Sequence, residues 1–94
     1  MEISYDPAKR ARTLAERGLD FEDAALVFAG LRASDEDRRR DYSEARMITA
    51  GYLRERFVIV VWTQRGSVRH IISMRYGHAN EERLHADRLG LGGP

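Results

Sequence analysis

Residues 57–75 read FVIVVWTQRGSVRHIISMR, a stretch that predicts two β-strands joined by a tight turn. Its first half is almost entirely β-branched or aromatic, which is typical of a strand in the middle of a sheet. Gly66 can adopt the positive φ angle of a hairpin turn, so we expect Arg65 and Gly66 to be the two turn residues. This turn places Trp62 opposite Arg69.

The predicted pairing divides the hairpin between two faces, because alternate strand residues point to opposite sides. We expect the more apolar face to meet the helices; it carries Phe57, Ile59, Val61, Val68, His70, Ile72 and Met74. The other face carries Trp62, Arg69, Ser73 and Arg75 on a floor of Val58, Val60 and Ile71. Arginines and a large aromatic residue on an open face suit single-stranded nucleic acid, whose bases stack on aromatic rings. A solvated face with an ordinary surface tryptophan is the alternative interpretation.

The length and composition of the chain limit the class of protein. The chain has 94 residues and no cysteine, so disulfides, thiol nucleophiles and thiolate metal sites are excluded. We expect a single domain over residues 1–89 and a flexible tail over residues 90–94. No apolar run approaches the roughly 20 residues of a membrane span, and no signal peptide is recognisable, so we expect a cytoplasmic protein.

The order of the predicted elements is β-α-α-β-β-β-α. Asp6 and Pro7 predict the start of a first helix, which Gly18 ends. Its expected inward stripe is Ala8, Ala11, Leu14 and Ala15, and that of a second helix before Gly30 is Phe21, Ala24 and Phe28. Residues 32–41 have no apolar periodicity and predict an exposed loop. The fold class is therefore α+β, with a small, mainly antiparallel sheet and the helices packed on one of its faces.

The sequence contains few motifs that indicate a particular catalytic chemistry. A Gly-rich phosphate loop, a nucleophile elbow and a dinucleotide fingerprint are all missing from the sequence, and its three histidines lack metal-ligand spacing. One reaction stays accessible to such a set, because RNA carries its own nucleophile, the 2′-hydroxyl group. Arginine and lysine can stabilise the charged transition state, and histidine can act as acid or base near neutral pH. We therefore predict neither a metal nor a cofactor.

Several short motifs occur in a characteristic order. They are Tyr5-Asp6-x-x-Lys9, residues 17–24 (RGLDFEDA), Val27-Phe28, residues 41–46 (DYSEAR), residues 61–66 (VWTQRG) and residues 71–75 (IISMR). With these motifs the sequence resembles the BrnT family, the toxins of bacterial type II toxin–antitoxin pairs. The resemblance covers roughly residues 3 to 85.

The resemblance implies a RelE-like fold and a metal-independent ribonuclease that inhibits translation. It also implies a BrnA-like antitoxin, which neutralises the toxin and brings operator DNA to the complex. The positions that match the family are Lys9, Glu44, Arg46, Arg65 and Arg75, and with His70 they are the predicted catalytic residues. Trp62, Arg69 and Ser73 are the predicted RNA-binding residues. A non-catalytic RNA-binding module and a protein-interaction module are the alternatives.

Overall fold

The computed structural model describes residues 2–89, which form five strands and three α-helices. In chain order these are β1 (Glu2–Tyr5), α1 (Pro7–Arg17), a 3₁₀ turn (Phe21–Asp23), α2 (Ala24–Ala29), β2 (Arg32–Asp37), β3 (Arg46–Leu53), β4 (Arg56–Arg65), β5 (Val68–Tyr76) and α3 (Ala79–His85). The strand order in the sheet is β1-β5-β4-β3-β2. Only the β1–β5 pair is parallel within the described residues, so the predicted α+β class and mainly antiparallel sheet are confirmed. The predicted tail lies outside the described residues.

Helix α1 has the ends that its sequence predicts. The Asp6 carboxylate accepts a hydrogen bond from the Ala8 amide at 2.9 Å, and Pro7 occupies the first turn, where its missing N–H costs nothing. At the other end Gly18 adopts a φ of 69° and donates its amide to the Leu14 carbonyl. A glycine tolerates this left-handed conformation, which ends the helix.

The predicted loop over residues 32–41 is partly wrong, because its first half is strand β2. This strand pairs along its whole length with β3, and Ser34 and Thr49 are hydrogen-bonded across the pair at 2.7 Å. The sequence shows no apolar alternation because β2 is an edge strand, held mainly by backbone hydrogen bonds to one neighbour. Its charged residues also discourage pairing with another chain.

The β4–β5 hairpin differs from its prediction in two ways. Arg65 pairs with Val68, so the turn residues are Gly66 and Ser67 rather than Arg65 and Gly66. A β-bulge then interrupts the pairing, because Trp62 lies opposite Ile71 whereas Val61 lies opposite Ser73. The extra residue reverses the alternation of side chains along the rest of β5.

The larger core lies between the sheet and helix α2, on the face of Val58, Val60 and Trp62 that the sequence predicts to be open. Sheet residues Val58, Val60, Trp62, Ile71 and Met74 contribute to it, and Leu19, Phe21, Ala24, Val27 and Phe28 cover them. The prediction of an exposed Trp62 is therefore wrong. Its side chain is 8% exposed, and its indole N–H donates to Thr49 Oγ1 at 2.8 Å.

Arg69 also lies on this helix-covered face, so its predicted place beside Ser73 and Arg75 is wrong. Its guanidinium lies 4.1 Å from the centroid of the Phe28 ring and 5.1 Å from that of Trp62. Burial, and then the charge of Arg32, lower the pKa of Arg69. Arg69 thus contributes cation–π contacts to the core.

The expected inward stripe of α1 is wrong as well, since Ala8, Ala11, Leu14 and Ala15 are all exposed. Polar contacts attach the helix instead. Arg10 forms an ion pair with Asp20 at 2.7 Å, and Arg17 donates to the Met74 carbonyl at 3.0 Å. An apolar helical stripe predicts burial only where another element is present to cover it.

Helix α3 and the turn after it lie over the opposite face of the sheet, so the prediction that all helices share one face is wrong. A second apolar cluster forms there from Ala33, Ala50, Phe57, Ile59 and Leu89. The Tyr52 hydroxyl donates to Glu82 at 2.6 Å, which adds a polar contact between β3 and α3. None of the helices in residues 2–89 is long and apolar enough to span a membrane.

Candidate nucleic-acid interface

The bulge in β5 collects polar side chains on the face that α3 partly covers, which we call the cleft face. His70 lies opposite Thr63, Ser73 opposite Val61, and Arg75 opposite Ile59. Paired residues point to the same side of a sheet. His70, Ser73 and Arg75 therefore share this face, although simple alternation along β5 had separated His70 from the other two.

One end of the cleft face carries what we call the basic cluster: Lys9, Glu44, Arg46, Arg65 and His70. The Arg65 guanidinium binds the Glu44 carboxylate through two hydrogen bonds, of 3.0 and 2.9 Å. These bonds lower the pKa of Glu44, and the charge of Arg46 lowers it further. Arg46 lies 4.2 Å from the centroid of the Tyr42 ring, which restricts its orientation. The cluster thus contains three cations and one firmly ionised carboxylate.

His70 is half-buried at the centre of this cluster, and its Nδ1 atom lies 2.8 Å from Ser4 Oγ. Burial is the main cause that lowers the pKa of His70, followed by the positive charge of Arg65. Lys9 also lowers this pKa, whereas the carboxylates of Glu44 and Asp6 raise it. Because the net shift is downward from about 6.5, His70 is neutral at pH 7 and can accept a proton.

The same face contains a cleft of about 380 Å³. Ile48, Ile59 and Val61 form its floor, while Ser73, Arg75, Glu81 and His85 belong to its rim. Asp35 and Arg39 complete the lining from the side of β2. Arg75 binds the Glu81 carboxylate through hydrogen bonds of 2.8 and 2.7 Å, and this contact lowers the pKa of Glu81 to about 2.

The structure thus sorts the predicted site residues into three places. Lys9, Glu44, Arg46, Arg65 and His70 lie in the basic cluster. Ser73 and Arg75 lie in the cleft. Trp62 and Arg69 lie on the opposite, helix-covered face. The cleft face therefore combines seven of the nine predicted residues.

Sequence reasoning missed several contributors to this face, among them Ser4 and Glu81. Ser4 reaches His70 because β1 pairs in parallel with β5, with Ser4 opposite His70, and no short motif signals such a long-range pairing. The sequence does contain a signal for Glu81, because this residue lies three residues after His78, and that spacing is typical of a capping box at a helix N-terminus. Its carboxylate accepts the His78 amide at 2.9 Å while it also binds Arg75.

The sequence was also compared with models of known protein families. A family model described as the ribonuclease toxin BrnT of a type II toxin–antitoxin system matches residues 5–81. The chain belongs to the BrnT family. No curated protein matches the chain. The matched range contains the whole basic cluster and the Arg75–Glu81 pair, whereas Ser4 lies just outside it. This BrnT-family chain is thus a ribonuclease toxin of a type II system, for which an RNA target and an antitoxin partner are implied.

Among residues 2–89 of this BrnT-family chain, no three His, Cys, Asp or Glu side chains are grouped so that they could hold a metal ion. The charges on the cleft face come instead from guanidinium groups, one ammonium group and the carboxylates that bind the arginines. Such a face can bind a phosphate backbone through its arginine and lysine side chains.

Proposed function

We propose that the basic cluster is the active site of a metal-independent endoribonuclease, in which the substrate's 2′-hydroxyl is the nucleophile. The observation that carries this proposal is the half-buried position of His70, whose Nδ1 lies 2.8 Å from Ser4 Oγ and whose pKa is lowered by burial and by the charges of Arg65 and Lys9. A neutral imidazole can remove the 2′-hydroxyl proton, and the adjacent cations can bind the phosphate that is attacked.

The reaction follows from these positions. His70 accepts the proton as the 2′-oxygen attacks the neighbouring phosphorus atom. The bond from phosphorus to the 5′-oxygen breaks, and the leaving oxygen takes up a proton from water. The products are a 2′,3′-cyclic phosphate and a 5′-hydroxyl end. Lys9, Arg46 and Arg65 stabilise the negative charge that develops on the phosphate oxygens.

Glu44 has a positioning role in this proposal. Its pKa is lowered by the two hydrogen bonds from Arg65, so it is ionised at neutral pH and does not donate a proton. The carboxylate instead holds the Arg65 guanidinium in one orientation before RNA arrives. A guanidinium that is already oriented loses less entropy when it binds phosphate.

We propose further that this activity inhibits translation by cutting RNA, and that a BrnA-like antitoxin neutralises it. The family assignment supports a type II system, whose antitoxin is a protein. Ser73 and Arg75 contribute to RNA binding from the cleft, and operator DNA is bound only through the antitoxin complex. Induced expression in bacteria, alone and together with the neighbouring gene, tests this part. Growth arrest that the neighbouring gene does not relieve would contradict the antitoxin assignment.

The chemical test uses purified protein and single-stranded RNA in the presence of EDTA. We expect cleavage that leaves cyclic phosphate ends, and no cleavage of DNA or of RNA methylated at the 2′-oxygen. Arg65→Ala should remove most of the activity. Arg12→Ala is the matched control, since Arg12 is an exposed arginine of α1 outside the cluster, and it should retain full activity.

Three results would count against this mechanism. Cleavage that EDTA abolishes and magnesium restores would require a metal ion. Equal cleavage of DNA would exclude the 2′-hydroxyl as the nucleophile. RNA binding without any cleavage would indicate a non-catalytic RNA-binding module instead.

A further inference from the structure

The cleft beside the basic cluster is chemically unlike the cluster itself. Its floor consists of the aliphatic side chains of Ile48, Ile59 and Val61. Ile59 is buried, whereas Ile48 and Val61 are partly exposed and therefore accessible from the cleft. The volume of about 380 Å³ is within the range of small-molecule sites. Such a floor can pack against the flat face of a ring, and the polar groups around it can hydrogen-bond to the edge of that ring.

The charged groups around the cleft are already paired. Arg75 binds Glu81 through two hydrogen bonds, and Arg39 binds Asp37 through two more. Asp35 is in contact with Arg88. An uncharged ring can bind between these groups and leave the ion pairs intact. The rim still offers hydrogen-bonding atoms, among them the Ser73 hydroxyl.

The distance to the basic cluster suits a neighbouring nucleotide. Ser73 lies opposite Val61 and His70 lies opposite Thr63, so cleft and cluster are separated by two residues along β4. Two residues of a strand span about 7 Å. One nucleotide can bridge this distance, so a strand whose phosphate lies at His70 can place an adjacent base over Val61.

From these observations we propose that the cleft is a base-binding pocket, which takes one unstacked nucleobase of the RNA next to the scissile phosphate. The inference rests on the proposed function, because it assigns a substrate subsite to the same face. Single-stranded RNA is commonly recognised in this way, by bases that leave the stack and enter a protein pocket. The basic cluster then binds the scissile phosphate, and the base bound in the cleft determines which phosphate of the strand lies at His70.

The test is an abasic scan that needs no cleavage. Short RNA oligonucleotides methylated at the 2′-oxygen are prepared with each base in turn removed, and their affinities are measured by fluorescence anisotropy. We expect one position at which loss of the base weakens binding about tenfold. Val61→Phe, which fills the floor of the cleft, should weaken binding of the intact oligonucleotide to the same extent and remove the dependence on that base. Thermal unfolding shows whether this variant is folded.

Leu26→Phe is the matched control, because Leu26 is 52% exposed on α2 and the substitution adds the same ring elsewhere. It should bind both oligonucleotides as the unsubstituted protein does. Should Val61→Phe fail to fold, Ser73→Ala, which removes the rim hydroxyl, should weaken binding of the intact oligonucleotide more than binding of the oligonucleotide that lacks the base. Binding that depends on no single base, or a folded Val61→Phe protein that still discriminates, overturns the pocket. Cleavage without base dependence refutes only the pocket, and base-dependent binding without cleavage refutes only the proposed function.

Discussion

Phe28 is the side chain on which the helix-covered core depends most directly, so Phe28→Ala should be a folding variant. Its ring is 6% exposed and packs edge-to-face on Trp62 with centroids 5.4 Å apart. Truncation of a buried phenylalanine costs about 3–5 kcal/mol. The lost aromatic pair, worth about 0.5–1.5 kcal/mol, and the contact with Arg69 place Phe28 in the upper half of that range.

The cost is large for a small domain, whose free energy of unfolding is typically about 5–15 kcal/mol. Each kcal/mol lowers the Tm of such a domain by about 4–8 °C, so even the low end of the general range of about 3–5 kcal/mol corresponds to about 12 °C. Leu26→Ala is the matched control, because Leu26 lies on the same helix but is 52% exposed. Exposed substitutions of this kind usually change stability by about 0.5 kcal/mol or less.

Thermal and urea unfolding, followed by circular dichroism, measure both variants. The fluorescence of Trp62, the single tryptophan of the chain, reports on the Phe28 contact directly. The reasoning is refuted if the Tm of Phe28→Ala lies within about 4 °C of that of the unsubstituted protein, since this corresponds to no more than about 1 kcal/mol. It is also refuted if Leu26→Ala is the less stable variant.

Three further predictions concern the site and the sheet. Because burial and Arg65 lower the pKa of His70, its neutral form persists below pH 6.5, and the cleavage rate should fall only as the pH drops through that lowered pKa. His70→Gln should lower kcat/KM by about 10²–10⁴-fold and remove this decrease at acidic pH. A pH profile of kcat/KM for both proteins checks this prediction. Arg75→Ala should abolish toxicity in growth assays, because Arg75 lines the cleft from which we propose that it contributes to RNA binding. The domain should stay folded, since the Arg75–Glu81 ion pair is partly exposed and contributes about 1 kcal/mol or less; a strongly lowered Tm would show a structural role instead. Gly51→Ala should lower the Tm by the equivalent of about 1–3 kcal/mol, because its new Cβ would lie 2.8 Å from Val27 Cγ1, and an unchanged Tm would contradict this contact.

Much of the local structure could be predicted from short stretches of sequence. The ends of α1 follow from Asp6, Pro7 and Gly18, because capping depends on residues that are adjacent in the chain. The β4–β5 hairpin follows from its β-branched composition and from Gly66, which has a φ of 60°. The cations of the basic cluster were also identified from the sequence, through the motifs that carry the family resemblance.

The face on which each side chain lies could not be predicted in the same way. Residues 57–62 are apolar without alternation because the sheet is covered on both sides, so the pattern does not tell which face meets α2. The bulge at Ile72 has no signal in neighbouring glycine or proline residues. It depends on how β5 packs against β4 and reverses the alternation for Ser73 and Arg75.

The sequence by itself therefore determined most of the elements, the ends of α1 and the residue types available for chemistry, since these depend on neighbours in the chain. The tertiary structure alone decided that Trp62 is buried and that His70 shares a face with Arg75. It also brought Ser4 to His70 through the parallel β1–β5 pair. These three outcomes depend on strand register and on what covers each face, which are properties of contacts between distant parts of the chain.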